Sequence, residues 1–141
     1  MYTVTQTVTF SYGHRLMSYA GACRHAHGHN GRIEVLFAAE ELDALGMVRD
    51  FTDIRREIEA WLERHVDHRM LLRRDDPLVE PLEALGEPLF LMDVNPTAEA
   101  IAKEIFDGIL AAGVPALEVR LWETDHSMAA YAPPRRTQAN P

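Results

Sequence analysis

Arg32-Ile33-Glu34-Val35-Leu36-Phe37 places Ile33, Val35 and Phe37 on one side of an extended chain, the period of a strand with a single buried face. The same rhythm runs earlier, from Tyr2 to Phe10, where Tyr2, Val4, Val8 and Phe10 share one face and the threonines take the other. Downstream the period changes. Ile54, Ile58, Trp61, Leu62 and Val66 recur at helical spacing, which predicts a helix over 53–66 with Thr52 or Asp53 as its N-cap. Asn95-Pro96-Thr97 opens a second amphipathic helix with Ile101, Ile105 and Ile109 on its stripe and Gly113 at its end. Leu117, Val119 and Leu121 then alternate with Glu118, Arg120 and Trp122 as a third strand, and Ser127 to Tyr131 forms a fourth after a turn at Thr124-Asp125-His126. The connection from Leu71 to Asp93 is too long for a structureless loop, and Asp76-Pro77 ahead of Leu78, Val79, Leu82 and Leu85 predicts a short helix within it. The order of the principal elements is ββααββ. It implies an α+β domain, a four-stranded antiparallel sheet with two helices on one face, spanning 1–132 and followed by a frayed tail over 133–141.

Composition narrows the function classes. With 141 residues, 47% apolar and 26% charged, the chain reads as one globular domain. No run approaches the ~20 apolar residues a bilayer span requires, and Met1-Tyr2-Thr3-Val4 lacks the basic start and apolar run of a signal peptide. A cytoplasmic protein with no membrane association is expected. The lone cysteine, Cys23, rules out an internal disulfide and leaves a thiol free for chemistry. A net charge of −8 argues against general nucleic-acid binding, yet residues 1–37 carry Arg15, Arg24 and Arg32 against Glu34 alone, so +2 there leaves −10 for the rest. That local balance suits an anionic small molecule.

Four of the seven histidines fall between residues 14 and 29, in a segment that runs into the second strand. His27 and His29 are two apart and project to the same side of an extended chain. His14, at the end of strand one, can complete a three-imidazole set. His25 projects with His27 and competes for a place in it. Three neutral imidazoles suit Zn²⁺ and leave its fourth position open, the mark of a catalytic site.

Taken together, His14-Arg15-Leu16, Cys23-x-x-x-His27-Gly28-His29-Asn30 and Gly46-Met47-Val48-Arg49-Asp50-Phe51 resemble the 6-pyruvoyl- and 6-carboxy-tetrahydropterin synthase family. Asp67-His68-Arg69, Asn95-Pro96-Thr97-Ala98-Glu99 and Glu123-Thr124 extend the resemblance over nearly the whole chain in one order. It implies the T-fold (tunnelling fold) architecture, zinc held by His14, His27 and His29, and Cys23 as a proton-transfer residue with Asp67 and His68 completing the acid–base set. It further implies that Glu123 binds the guanidine-like edge of a pterin through paired hydrogen bonds, with Thr97 and Glu99 in the same pocket. A homohexamer built from two trimers, with sites completed across subunits, is the assembly it implies.

The resemblance departs in three places: Gly31 stands where an aromatic residue is usual, Tyr12-Gly13 where small residues are, and Asp125-His126 alters the turn after Glu123-Thr124. The three-residue gap between Cys23 and His27 resembles the bacterial 6-carboxy branch. The implied reaction is conversion of 7,8-dihydroneopterin triphosphate to 6-carboxy-tetrahydropterin in queuosine biosynthesis. Triphosphate elimination to 6-pyruvoyl-tetrahydropterin is the nearest alternative, and a catalytically silent pterin- or metal-binding protein is another.

Overall fold

A computed structural model describes residues 1–134. Both alternating stretches are strands, and both run further than their apolar pattern. Strand β1 (Tyr2–His14) and β2 (His27–Ala39) form one long antiparallel hairpin, in register from Tyr2 opposite Ala39 to His14 opposite His27. Val8, Phe10, Ile33, Val35 and Phe37 are buried on one face, while Thr3, Thr5, Thr7 and Thr9 stay exposed on the other. Helix α1 (Phe51–His65) and helix α3 (Ala98–Ala111) cover the apolar face. Ile54 and Ile58 of α1 and Ile101, Ile105 and Ile109 of α3 are fully buried in the common core, each side chain contributing about 1.5–3 kcal/mol. A Cβ on Gly108 of α3 would lie 2.0 Å from Trp61 of α1, so the bare glycine is what lets the indole lie against that helix.

Helix α1 begins two residues earlier than its apolar pattern, because Asp50 is the cap: its carboxylate accepts from the Thr52 amide at 2.7 Å. Helix α3 is capped by Thr97, whose hydroxyl accepts from the Ala100 amide at 3.2 Å. Strand β5 (Glu118–Thr124) and strand β6 (Ser127–Tyr131) follow the expected alternation.

The four-stranded antiparallel sheet is corrected to a mixed sheet of six strands, ordered β4-β3-β1-β2-β5-β6. The two additional strands are β3 (Arg69–Arg73) and β4 (Leu89–Met92), joined through the short helix α2 (Val79–Ala84). Strand β3 runs parallel to β1, with Tyr12 opposite Arg69 and His14 opposite Leu71, and β4 runs parallel to β3. Neither carries the alternating signature. Leu71 and Leu72 are consecutive and both fully buried, and a short strand covered on both faces reads as a plain apolar run. Among the described residues, β4 and β6 are the sheet's edges and no helix is long and apolar enough to cross a membrane. The frayed tail expected over 133–141 falls mainly on 135–141, which lie outside the described residues.

Candidate metal centre and substrate pocket

The register of the hairpin builds the histidine cluster. His14 ends β1 directly opposite His27, and His29 faces Tyr12 one pair further on, so all three imidazoles emerge on the helix-covered face. Their nearest ring nitrogens all lie within 4.8 Å of one another. The ring centroids of His14 and His27 are 4.6 Å apart, those of His14 and His29 5.1 Å, and those of His27 and His29 5.0 Å.

Backbone carbonyls orient two of the rings. His14 Nδ1 lies 2.7 Å from the Pro96 carbonyl and His27 Nδ1 lies 2.7 Å from the His25 carbonyl. A carbonyl only accepts, so each Nδ1 carries the proton and each Nε2 presents a bare lone pair. The Nε2 atoms of His14 and His29 are buried without a hydrogen-bond partner. Buried ring nitrogens without partners are costly, and two of them converging with the His27 imidazole suit a cation. Burial pushes the His14 imidazole below its ordinary value; the Pro96 carbonyl and Glu123 pull the other way, and the two neighbouring histidines add to the lowering. A neutral imidazole is the ligating form. His25 stands outside the cluster: its ring is exposed and accepts from Arg24 Nε at 3.1 Å, while its carbonyl serves His27.

A cavity of ≈ 250 Å³ adjoins the cluster, lined by His14, Leu16, Cys23, Thr97, Glu99 and Glu123 together with Met128 and its neighbours on β6. Glu123, near the end of β5, places Oε1 3.7 Å from His14 Nε2 and accepts from the Tyr12 hydroxyl at 3.2 Å. Burial, and then the Glu123 charge and hydrogen bond, push the Tyr12 phenol far above its usual range, which keeps it a neutral donor. The loop that carries Cys23 is closed by the Leu16 amide donating to the Cys23 carbonyl at 2.8 Å. Asn95 grips the same loop, accepting from the Met17 amide at 2.9 Å and donating to the Met17 carbonyl at 2.8 Å. Arg15 forms a forked pair with Asp76, whose side chain is fully buried.

Five of the candidates, His14, Cys23, Thr97, Glu99 and Glu123, thus share one cavity within one chain, with His27 and His29 at the adjoining cluster. Asp67 and His68 do not line it. Asp67 accepts from the Ser11 amide at 2.9 Å and lies 3.0 Å from His68 Nδ1. The His68 side chain is 79% exposed and its backbone takes φ 57°, a left-handed conformation that costs an ordinary residue about 1–2 kcal/mol. His68 borders a larger hollow of ≈ 690 Å³ bounded by Ser11, Gly13, Gly28, Asn30, Met70 and Leu82, with parts of His27 and His29 at its edge. Ser11 and Gly13 alternate with the buried Tyr12 and His14, so this hollow opens on the face away from α1 and α3.

Sequence reading missed the supports of the site. Asn95 and Pro96 were legible as a helix start and Arg15 as part of a motif, but their partners, 78, 82 and 61 residues away, carry no local signal. Tyr12 registered only as a departure.

The family model for 6-pyruvoyl tetrahydropterin synthase matches residues 3–134, and the chain belongs to that family. Among curated relatives, the 6-carboxy-5,6,7,8-tetrahydropterin synthase of Rickettsia felis is 35% identical over 107 residues, covering 74% of this chain and 78% of the relative. The protein of the same name from Synechocystis is 34% identical over 140 residues and covers 96% of each chain. The 6-pyruvoyl tetrahydrobiopterin synthase of Poecilia reticulata is 30% identical, covering 91% of this chain and 88% of that one. Among solved structures, an uncharacterized protein of Wolinella succinogenes superposes with a TM-score of 0.76 at 26% identity, covering 93% of this chain and 97% of that one. The Caenorhabditis elegans 6-pyruvoyl tetrahydropterin synthase shares the fold at a TM-score of 0.70 and 24% identity, covering 94% of this chain and 96% of that one.

Proposed function

We propose that this protein is a cytoplasmic, zinc-dependent 6-carboxy-5,6,7,8-tetrahydropterin synthase, a lyase that converts 7,8-dihydroneopterin triphosphate and one water to 6-carboxy-tetrahydropterin, triphosphate and acetaldehyde, on the route to queuosine. The observation that carries the reading is the convergence of three imidazoles, two with buried unpartnered Nε2 atoms, beside a cavity lined by a thiol and a carboxylate. The relatives named 6-carboxy-5,6,7,8-tetrahydropterin synthase support this branch over the pyruvoyl-forming one.

His14, His27 and His29 would hold the zinc, and bound there it supplies Lewis acidity toward the substrate's side-chain oxygens. Glu123 accepts from the ring N–H and 2-amino group of the pterin, a paired contact that orients the ring and fixes which carbon faces the cluster. Cys23, as thiolate, takes a proton from the substrate side chain. Asp67 holds the His68 imidazole for the complementary transfer. Thr97 and Glu99 line the cavity, and the hydroxyl of Thr97 is already engaged as a helix cap.

In this reading Asp67 and His68 serve the cavity of a neighbouring copy, in a hexamer of two trimers. The exposed His68 on the face away from Cys23 supports that division, as do two sheet edges left open in one chain. Mass analysis of the product formed from 7,8-dihydroneopterin triphosphate by the zinc-loaded protein tests the function. A 6-carboxy-tetrahydropterin product is expected. A 6-pyruvoyl product would replace this reading with its nearest alternative, and unchanged substrate would overturn both.

A further inference from the structure

We infer that Tyr12 is a positioning residue for Glu123, and that Gly31 is the residue that makes room for it. The inference rests on the reading of Glu123 as the pterin anchor and adds what holds that anchor in place. Tyr12 lies in β1 two residues before His14, opposite His29, and its ring is almost fully buried. It is clamped on several sides. The Phe10 ring stacks on it at 5.1 Å, and the His14 and His29 rings lie 5.2 Å and 5.6 Å away. With the ring held on these sides, the hydroxyl donates to Glu123 Oε1 at 3.2 Å.

That oxygen is the one nearest the imidazole cluster, 3.7 Å from His14 Nε2. A carboxylate this close to a bare imidazole lone pair is repelled by it and needs a donor to hold it in place. The phenol's hydrogen bond favours one rotamer, and it leaves a second lone pair on Oε1 and both on Oε2 for the two donors of a pterin edge. Pairing with two parallel donors depends on the plane of the carboxylate, so a neutral donor that sets this plane acts on recognition rather than on proton transfer.

Gly31 completes the arrangement. It pairs with Phe10 across the hairpin, and a Cβ built there would lie 2.8 Å from Tyr12 Cε1 and 3.1 Å from Phe10 Cε1. Two aromatic rings, both held by the core, would have to move for any side chain at this position. Position 31 is thus coupled to Glu123 through the Tyr12 ring, without touching the carboxylate.

The test is equilibrium binding of pterin and of lumazine, which differ at C2, an amino group in one and an oxo group in the other, to the metal-loaded protein, with metal content measured in parallel. Tyr12→Phe keeps the ring and removes the hydroxyl. It is expected to weaken pterin binding roughly 10-fold, as loss of a hydrogen bond to a charged group does, with lumazine binding and metal content unchanged. For the triphosphate substrate the loss is expected in KM rather than kcat. Gly31→Ala is expected to reduce the pterin preference by a similar factor, and to add nothing once the Tyr12 hydroxyl is gone. Glu123→Gln serves as the reference and is expected to lose the preference for pterin altogether. If Glu123→Gln loses that preference while Tyr12→Phe keeps it, the positioning role is wrong and the anchor stands. If Glu123→Gln still prefers pterin, the anchor reading itself fails. Loss of metal from Tyr12→Phe would also overturn the inference, because the effect would then run through the imidazoles.

Discussion

The two groups of candidate catalytic residues sit in opposite surroundings. Around His14, Cys23 and Glu123 the chain is closed: two imidazoles are held by backbone carbonyls, the thiol's loop is stapled, and the carboxylate has a phenol donor. Around Asp67 and His68 it is open. The His68 imidazole projects into solvent on the other face of the sheet, from a left-handed backbone whose amide donates a hydrogen bond to the Ser11 carbonyl at 2.6 Å. The His68 imidazole thus faces away from the cavity of its own chain, and the proposed sharing of sites between neighbouring copies is what this contrast puts to the test.

The largest effects are expected on the closed side. His27→Ala or His29→Ala should lose most bound metal after gel filtration and more than about 100-fold in activity, since even outer partners of metal ligands cost roughly 10–100-fold. His25→Ala should keep both, because the His25 contact to His27 is through its backbone carbonyl. Equal metal loss from the His25 variant would break the assignment of the three ligands.

Next in size is Cys23→Ala, expected to retain metal and pterin binding while kcat falls by about 10²–10⁴, the range for a proton-transfer group. The same variant sharpens the comparison of the two regions. Mixed with His68→Ala subunits, unfolded and reassembled, it should recover up to about a quarter of wild-type activity if neighbouring copies share sites. Mixed with Glu123→Ala it should recover none, since Cys23 and Glu123 line one cavity of one chain. Recovery in the second mixture, or none in a verified first one, would erase the division.

The smallest effects concern stability rather than chemistry. Asp76 is buried, which by itself raises its carboxyl, but the Arg15 hydrogen bonds, the Leu78 amide and the Arg15 charge outweigh this and hold it below the usual range. Asp76→Ala is therefore expected to cost about 1–3 kcal/mol in denaturant unfolding, because the Arg15 guanidinium left without its partner is a quarter exposed and regains water. His14 adds a pH dependence in the metal-free protein. Its imidazole is held below 6.5 in the fold, so the unfolded chain binds the proton more readily, and stability should fall as the pH drops below about 6.5 toward the lowered value. A thermal melting series from pH 7.5 to about 5 checks it, and a flat profile would mean that the cluster is not buried in the neutral form.

Local patterns were enough for the apolar stretches of β1 and β2, helices α1 and α3 and strands β5 and β6, because each shows one apolar face to a single core and its period survives in the residue order; the pairing of β1 with β2 and their extension to His14 and His27 were not in those patterns. The histidines, the thiol, Glu123 and the Asp67-His68 pair were legible as chemistry-bearing types, and family resemblance supplied their roles. Strand β3 was not legible, since Leu71 and Leu72 are both fully buried and burial on both faces removes the alternation that identifies a strand, and β4, four residues of continuous apolar chain from Leu89 to Met92, shows no alternation either. Spacing alone left His25 in contention and the resemblance favoured His27 and His29; the tertiary structure adds that the His25 ring stands outside the cluster while its carbonyl turns the His27 ring. It alone brought Tyr12 to Glu123 across 111 residues and placed the Tyr12 ring where a Cβ at Gly31 would clash, because the direction of a buried side chain is decided by distant neighbours that a local pattern does not contain.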